Sequence, residues 1–277
     1  MSADARLTLM RDGRASVALE GVVAAGEYIE PKTRALAVPA AAIRRAPDAA
    51  SEQMDQLLFG ELFDVLETQG DWAFGQARRD GYVGFVEAAG LSKPAAEPTH
   101  WVSALRSYAF SAPDIKSAPL GLCSMNALVA VEAREGRFAR GAGTGWFIAE
   151  DLTPVGVGET DHAGVAERYL GAPYQWGGRE SLGLDCSGLV QQALYACARA
   201  CPRDSDQQAA LGHAVEPGDL ERGDLVCWKG HVAIVTGENA IVHANAHHMR
   251  VALEPLDQAI ARIREAGGGE VTGYRRL

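Results

Sequence analysis

The sequence predicts an α+β chain in three parts: two small β-barrels, then a domain that opens with helices and closes with an antiparallel sheet. Three observations predict this. Landmarks between residues 35 and 152 recur in the same order at offsets of 61 to 66 residues, the signature of a duplicated unit. Within each copy, short alternating strands are punctuated by Gly and Pro, which suits a small barrel. After residue 160 the grammar changes to helical patterns followed by closely spaced strands, the order of an α+β domain.

Taken in order, residues 1–34 hold one amphipathic candidate helix, Ala15 to Ile29, interrupted by Gly21 and Gly26. It is expected to pack on the barrel after it. The first barrel, 35–93, runs through Ala46-Pro47-Asp48, the strand-like Phe63 to Glu67, Gly70-Asp71-Trp72 and Gly84-Phe85-Val86. The second, 99–155, repeats this as Ala112-Pro113-Asp114, Leu128 to Glu132, Gly136-Arg137-Phe138 and Gly145-Trp146-Phe147. The Pro- and Ala-rich stretch Ser92 to Pro98 links them. In 160–277, Ala163 to Leu170 reads as a helix stopped by Gly171, and a second helix follows Cys186. Strands are expected at 224–228, 231–235, 240–244 and 271–274, with a late helix at 256–265.

Composition removes several classes of function. The formal net charge is -10, from 26 Lys and Arg against 36 Asp and Glu, which argues against nucleic acid and anionic lipid surfaces as partners. No apolar run approaches the roughly 20 residues of a membrane span, and no secretory signal pattern opens the chain, so a cytoplasmic location is expected. The five cysteines are scattered, which is not a disulfide framework. Cys197 and Cys201 lie one helical turn apart, yet no partner stands at finger-like spacing. Neither a metal nor an organic cofactor is implied.

The chemistry gathers around Gly183-Leu184-Asp185-Cys186-Ser187-Gly188-Leu189-Val190. A cysteine at a helix start meets N–H groups and a dipole that favour thiolate, lowering its pKa from about 8.5. Thiol catalysis also needs a base and a group that orients it. His231 opens one strand and His243 closes the next. A hairpin centred on Gly237 sets the two face to face, where one ring can fix the tautomer of the other.

Asp185-Cys186-Ser187-Gly188, Gly230-His231-Val232-Ala233-Ile234 and Ile241-Val242-His243-Ala244 together resemble the NlpC-type peptidases, papain-like cysteine enzymes that act on cell-wall peptides. Gly171 to Gly178 is similar to the loop preceding that family's nucleophile. The paired barrels resemble bacterial SH3-like domains. The whole arrangement looks like the γ-D-glutamyl-L-diamino-acid endopeptidases of dipeptidyl-peptidase VI type. The resemblance implies a papain-like domain preceded by two SH3-like β-barrels, with Cys186 as nucleophile, His231 as base, His243 as orienter and Tyr174 beside the oxyanion. It also implies a substrate site drawn from Asp204, Ser205, Tyr82, Asp185, Ser187, Trp176 and Glu61. Asp204 or Glu61 would meet the free ammonium of an N-terminal L-Ala; Asp204 or Ser205 also suits a helix N-cap. The implied reaction releases L-Ala-D-Glu from murein peptides during recycling. The alternatives are an amidase or acyltransferase on the same residues, or a non-catalytic SH3-like cell-wall binding module. His247-His248 reads as a solvated loop. Oligomeric state is not encoded in any of these patterns.

Overall fold

The computed structural model describes residues 4–277. It divides into two compact units, Met1–Val155 and Gly156–Leu277.

In the first unit the expected N-terminal helix does not form. Its residues make the strand Arg14–Ser16, one 3₁₀ turn at Val17–Leu19, and the strand Glu27–Ile29. With Met10–Arg11 these form a three-stranded sheet. Val17, Val22 and Val23 are β-branched, which costs helix propensity. Gly21 takes φ +78°, a left-handed conformation that ends a helix. The ribbon is instead held by its contacts. Leu9 is buried among Leu66, Phe74, Val83 and Phe85, and the Arg11 guanidinium lies 4.7 Å from the Phe85 ring centroid. Residues 4–30 therefore wall the first barrel rather than forming a helical segment.

The duplication extends to individual pairings. In the first barrel Ala40–Arg44 pairs with Gln53–Leu58 and touches Val83–Glu87 at one position. In the second, Arg106–Phe110 pairs with Pro119–Ser124 and touches Gly145–Ile148 at one position. Register breaks fall between Val65 and Glu67 in one and between Val131 and Ala133 in the other. The turns match as well: Asp48 accepts from Ala50 N–H and Asp114 from Lys116 N–H. The two barrels pack side by side. Leu128 N–H donates to Phe59 O at 2.8 Å, and Gly60 sits at φ +79° where a Cβ would overlap the Leu128 carbonyl.

The second unit sets helices against a six-stranded sheet, ordered His213–Ala214, Gly273–Arg276, Leu225–Trp228, His231–Gly237, Ala240–Asn245, Arg250–Pro255. The helices are α1 (His162–Glu167), α2 (Cys186–Ala196), α3 (Ser205–Gln208) and α4 (Leu256–Glu265). Val232, Ala233, Ile234 and Val235 are all buried, because this strand is covered on both faces. Ala233 and Val235 pack with Ala259, Ile260 and Ile263 of α4. α1 and α2 also lie against this strand and its neighbour. The strand Arg250–Pro255 was not expected; its apolar and polar residues alternate too loosely to stand out. Among the described residues, no helix is long and apolar enough to cross a membrane.

Candidate active site

α2 starts at Cys186 because Asp185 caps it. The Asp185 carboxylate accepts from Gly188 N–H at 2.8 Å and from Gly177 N–H at 2.9 Å, and such a cap contributes about 0.5–2 kcal/mol. Arg203, 1 % exposed, grips the same carboxylate as a fork, Nη1 to Oδ1 at 3.0 Å and Nη2 to Oδ2 at 2.7 Å. Its Nη1 also donates to Ser187 Oγ at 2.7 Å. Asp185 and Ser187, expected at the substrate, are thus the clamp that fixes the helix start. Their polar atoms are engaged inside the fold.

The Cys186 sulfur accepts from the backbone N–H of Val232, so it rests against the start of the strand that carries His231. The surroundings of the sulfur work against the expected thiolate. Burial first, and the Asp185 charge second, push the Cys186 thiol up to about 12. A dipole at the helix start is outweighed when the site is dry and a carboxylate stands next door. Burial, followed by His243 and Arg262, pushes His231 down to about 3. Burial thus favours the neutral form of each group, thiol and imidazole.

The two histidines meet, though not in the expected register. Ile234 pairs with Val242 and Val235 with Ile241, with an irregularity before Gly237. Carried on, this register places His243 opposite Ala233. His231 and His243 are therefore diagonal neighbours, a separation that imidazole rings span. His231 Nε2 lies 2.9 Å from His243 Nδ1, and His243 Nε2 lies 3.0 Å from Glu254 Oε2. Arg262 of α4 donates to both Glu254 oxygens, at 2.8 and 2.7 Å. Although burial opposes it, this guanidinium holds the Glu254 carboxyl below its ordinary range.

That ionised end fixes every proton along the chain. Glu254 can only accept, so His243 carries its proton on Nε2 and presents a lone pair at Nδ1. His231 must then donate from Nε2, which leaves its Nδ1 as a bare acceptor for a thiol proton. Trp228 packs beside His231, ring centroids 5.6 Å apart. Burial first, and the Asp185 carboxylate among its neighbours, raise the Tyr174 hydroxyl pKa, so Tyr174 keeps its proton.

The remaining expected residues each have their own setting. Asp204 starts α3 in a capping box with Gln207, whose Oε1 accepts from Asp204 N–H at 3.2 Å. Ser205 is the first residue of that helix and half-buried. Trp176 is 62 % exposed, a solvent-facing ring on its loop. Tyr82 and Glu61 belong to the first unit. Tyr82 is buried in the core of the first barrel. Glu61 is buried too, its oxygens taken by Leu58 N–H at 3.0 Å and Arg79 Nη1 at 2.8 Å. Arg79 also donates to Asn126 O. Glu61 thus ties the barrels together, which corrects its expected role toward a free ammonium. His248, expected in a solvated loop, is half-buried, with Nδ1 3.0 Å from Asn245 Oδ1. With His243 and Glu254 it forms a trio of donors close enough to share a metal; Cys197 and Cys201, neither in a disulfide, stand outside it.

The part of the site missed by sequence reasoning is the outer half of both clamps: Arg203, Glu254 and Arg262. Arg203 stands 18 positions from Asp185, and no local periodicity links them.

A buried thiol at a capped helix start, packed against the strand that carries an oriented imidazole, defines a papain-like cysteine peptidase fold. Comparison with known proteins specifies it further: residues 171–265, within the second unit, match the family model "NlpC/P60 family". Residues 43–91 match the "Bacterial dipeptidyl-peptidase Sh3 domain". The chain is 28 % identical over 216 residues to the gamma-D-glutamyl-L-lysine dipeptidyl-peptidase of Bacillus subtilis, covering 68 % of this chain and 71 % of that one. It is 35 % identical over 114 residues to a probable endopeptidase of Mycobacterium tuberculosis, covering 39 % of this chain but only 29 % of that protein. A crystal structure of an NlpC/P60 family protein from Bacillus cereus superposes with a TM-score of 0.76 at 21 % identity, over 88 % of this chain and 99 % of that one. At that identity the likeness is one of fold.

Proposed function

We propose that this chain hydrolyses the amide between γ-D-Glu and the following L-diamino acid in murein peptides with a free N-terminal L-Ala, releasing L-Ala-D-Glu. The observation that carries the reading is the oriented chain from Glu254 through His243 to His231, which leaves His231 Nδ1 as the unused acceptor on the strand against which Cys186 packs. The B. subtilis relative, named for cleavage at γ-D-glutamyl-L-lysine, supports the choice of bond.

The chemistry starts from the neutral thiol and imidazole. Cys186 sulfur attacks the γ-carbonyl carbon as His231 Nδ1 takes the thiol proton. The developing oxyanion is met by Cys186 N–H and the Tyr174 hydroxyl. The imidazolium is stabilised through His243 by the Glu254 charge. It returns its proton to the departing amine, leaving a thioester on Cys186. Water, deprotonated by His231, then attacks the thioester carbon. The acyl product leaves as carboxylic acid and the thiol regains its proton. Asp204 suits the substrate ammonium because its carboxylate stands at a half-buried helix start. We assign the reaction to recycling of murein peptides in the cytoplasm.

The test is mass spectrometry of L-Ala-γ-D-Glu-L-lysine and its meso-diaminopimelate counterpart, each free and N-acetylated, with Cys186→Ala as control. Release of L-Ala-D-Glu from the free peptides alone, absent in the variant, supports the reading. Equal cleavage of acetylated peptides keeps the bond assignment and removes the ammonium requirement. An acyl-enzyme that transfers to amines but not to water favours the acyltransferase alternative.

A further inference from the structure

The donors at the outer end of the histidine chain have a second use. His243, His248 and Glu254 each offer a ligand atom, all within 4.8 Å of one another. Two imidazoles and a carboxylate form a donor set of open zinc sites. Each imidazole also has an outer partner of the kind that orients metal ligands. His243 Nδ1 is held by His231 Nε2 at 2.9 Å. His248 Nδ1 is held by Asn245 Oδ1 at 3.0 Å, which leaves its Nε2 as the bare nitrogen. Glu254 is held by Arg262 through both oxygens. His243 Nε2 and Glu254 Oε2 are already 3.0 Å apart, close to the edge of about 3.4 Å in a tetrahedron with zinc bonds near 2.1 Å. The remaining closure falls to His248, whose loop neighbours Ala246, His247 and Met249 are exposed.

We propose that His243, His248 and Glu254 form a divalent-cation site, selective for zinc-like ions, whose occupation switches the catalytic pair off. The inhibitory half rests on the reading of His231 as the base. A metal on His243 Nε2 replaces the proton that Glu254 accepts in the free protein. The neutral ring then carries its proton on Nδ1, aimed at His231 Nε2. His231 Nε2 becomes an acceptor, and its proton moves to Nδ1. The count balances: the His243 Nε2 proton leaves to solvent, the His231 Nε2 proton passes to His243 Nδ1, and one solvent proton fills His231 Nδ1. No lone pair then remains to take the Cys186 proton. Arg262 is the competing cation, so the site weakens while Arg262 holds Glu254.

Calorimetric titration of the full chain with zinc chloride tests the site, with cobalt(II) absorption reporting the ligand type. One equivalent should bind to wild type and to Cys186→Ala alike, without a thiolate–cobalt band. His248→Ala should weaken binding about 10–100-fold, and Arg262→Ala should strengthen it. In turnover assays, with each protein normalised to its own rate in EDTA, His248→Ala should need at least about tenfold more zinc for half inhibition. Nitrogen-15 spectra of Cys186→Ala should show the His231 tautomer reversing on zinc addition, a readout independent of any substrate. Loss of binding in Cys186→Ala would move the metal to the thiol–imidazole pair and overturn the site. Unchanged binding in His248→Ala would overturn it as well. An unreversed tautomer with zinc bound would overturn the switch. Failure of every tested murein peptide to cleave would sink the proposed reaction, while the binding and tautomer experiments would still decide this proposal.

Discussion

The nucleophile and its base are held by opposite kinds of scaffold. Cys186 stands on a helix whose residues are buried throughout, and its clamp, Asp185 with Arg203, is a closed circuit inside the fold. His231 stands on a strand end, and its orienting chain runs outward through His243 and Glu254 to Arg262, which is half-buried. The helix half contains one full ion pair, with the carboxylate also held by Gly177 and Gly188. Such a pair adds little net stability, yet removing one partner strands a charge. The sheet half strands less when altered, because its outer cation, Arg262, is reached by solvent while Glu254 keeps only a small exposed fraction. Position on the helix side is therefore secured by folding stability. On the sheet side, proton placement is secured by polarity and stays open to influence.

The comparison breaks most visibly at Arg203. Arg203→Met removes the fork and leaves the Asp185 carboxylate buried with backbone donors alone. The expected loss is about 3–5 kcal/mol, read as a shift in the urea midpoint of the second unit, with activity falling alongside. A midpoint within experimental error of wild type would mean that the helix start is not held by this pair.

The next largest effect needs no substitution. A Cys186 thiol pushed up to about 12 by burial and Asp185 is neutral at pH 7, and thiolate grows as pH rises. Alkylation of Cys186 by iodoacetamide in EDTA should therefore rise about tenfold per pH unit between 7 and 9, since the thiolate is the nucleophile. Mass-spectrometric peptide mapping separates it from the other cysteines. A flat profile from pH 5 to 8 would reveal a preformed thiolate–imidazolium pair instead.

Glu254→Gln probes the sheet half. The amide oxygen still accepts from His243 Nε2–H, so the chain keeps its shape, but the charge that stabilises the imidazolium is gone. Turnover number should fall about 10–100-fold while the thermal midpoint moves little. Equal losses in both would make Glu254 a structural strut.

The contrast also explains what the sequence revealed. Features with a local signature were readable: the helix start at Cys186, the strands that open at His231 and Ala240, and a duplication whose register breaks and turns recur as well. Local rules failed where tertiary contacts overrode them. Ala15 to Ile29 reads as an amphipathic helix, but Leu9 and Arg11 find better partners in the first barrel when the segment is a ribbon. The hairpin centre at Gly237 was two positions short in summed register because of the irregularity before it, although diagonal contact preserved the histidine pair. Glu61, Asp185 and Ser187 read as substrate contacts because a polar residue beside a site carries no sign of being buried. Arg203 and Arg262 pair across the fold at spacings with no helical or strand period, so nothing local distinguishes them from other arginines.

The smallest effect bears on Asp204, which follows Arg203 directly and starts α3. Asp204→Ala removes the capping box, expected to cost about 1 kcal/mol, visible as a modest fall in thermal midpoint. If Asp204 only caps the helix, KM for free and N-acetylated tripeptides should shift by the same factor, and Asp204→Ser, which restores a cap, should recover both. If its carboxylate also meets the substrate ammonium, Asp204→Ser should restore the midpoint while KM for the free peptide stays raised. That split extends the helix half beyond anchoring the nucleophile, because one short segment would then hold both the Cys186 clamp and the peptide's charged end.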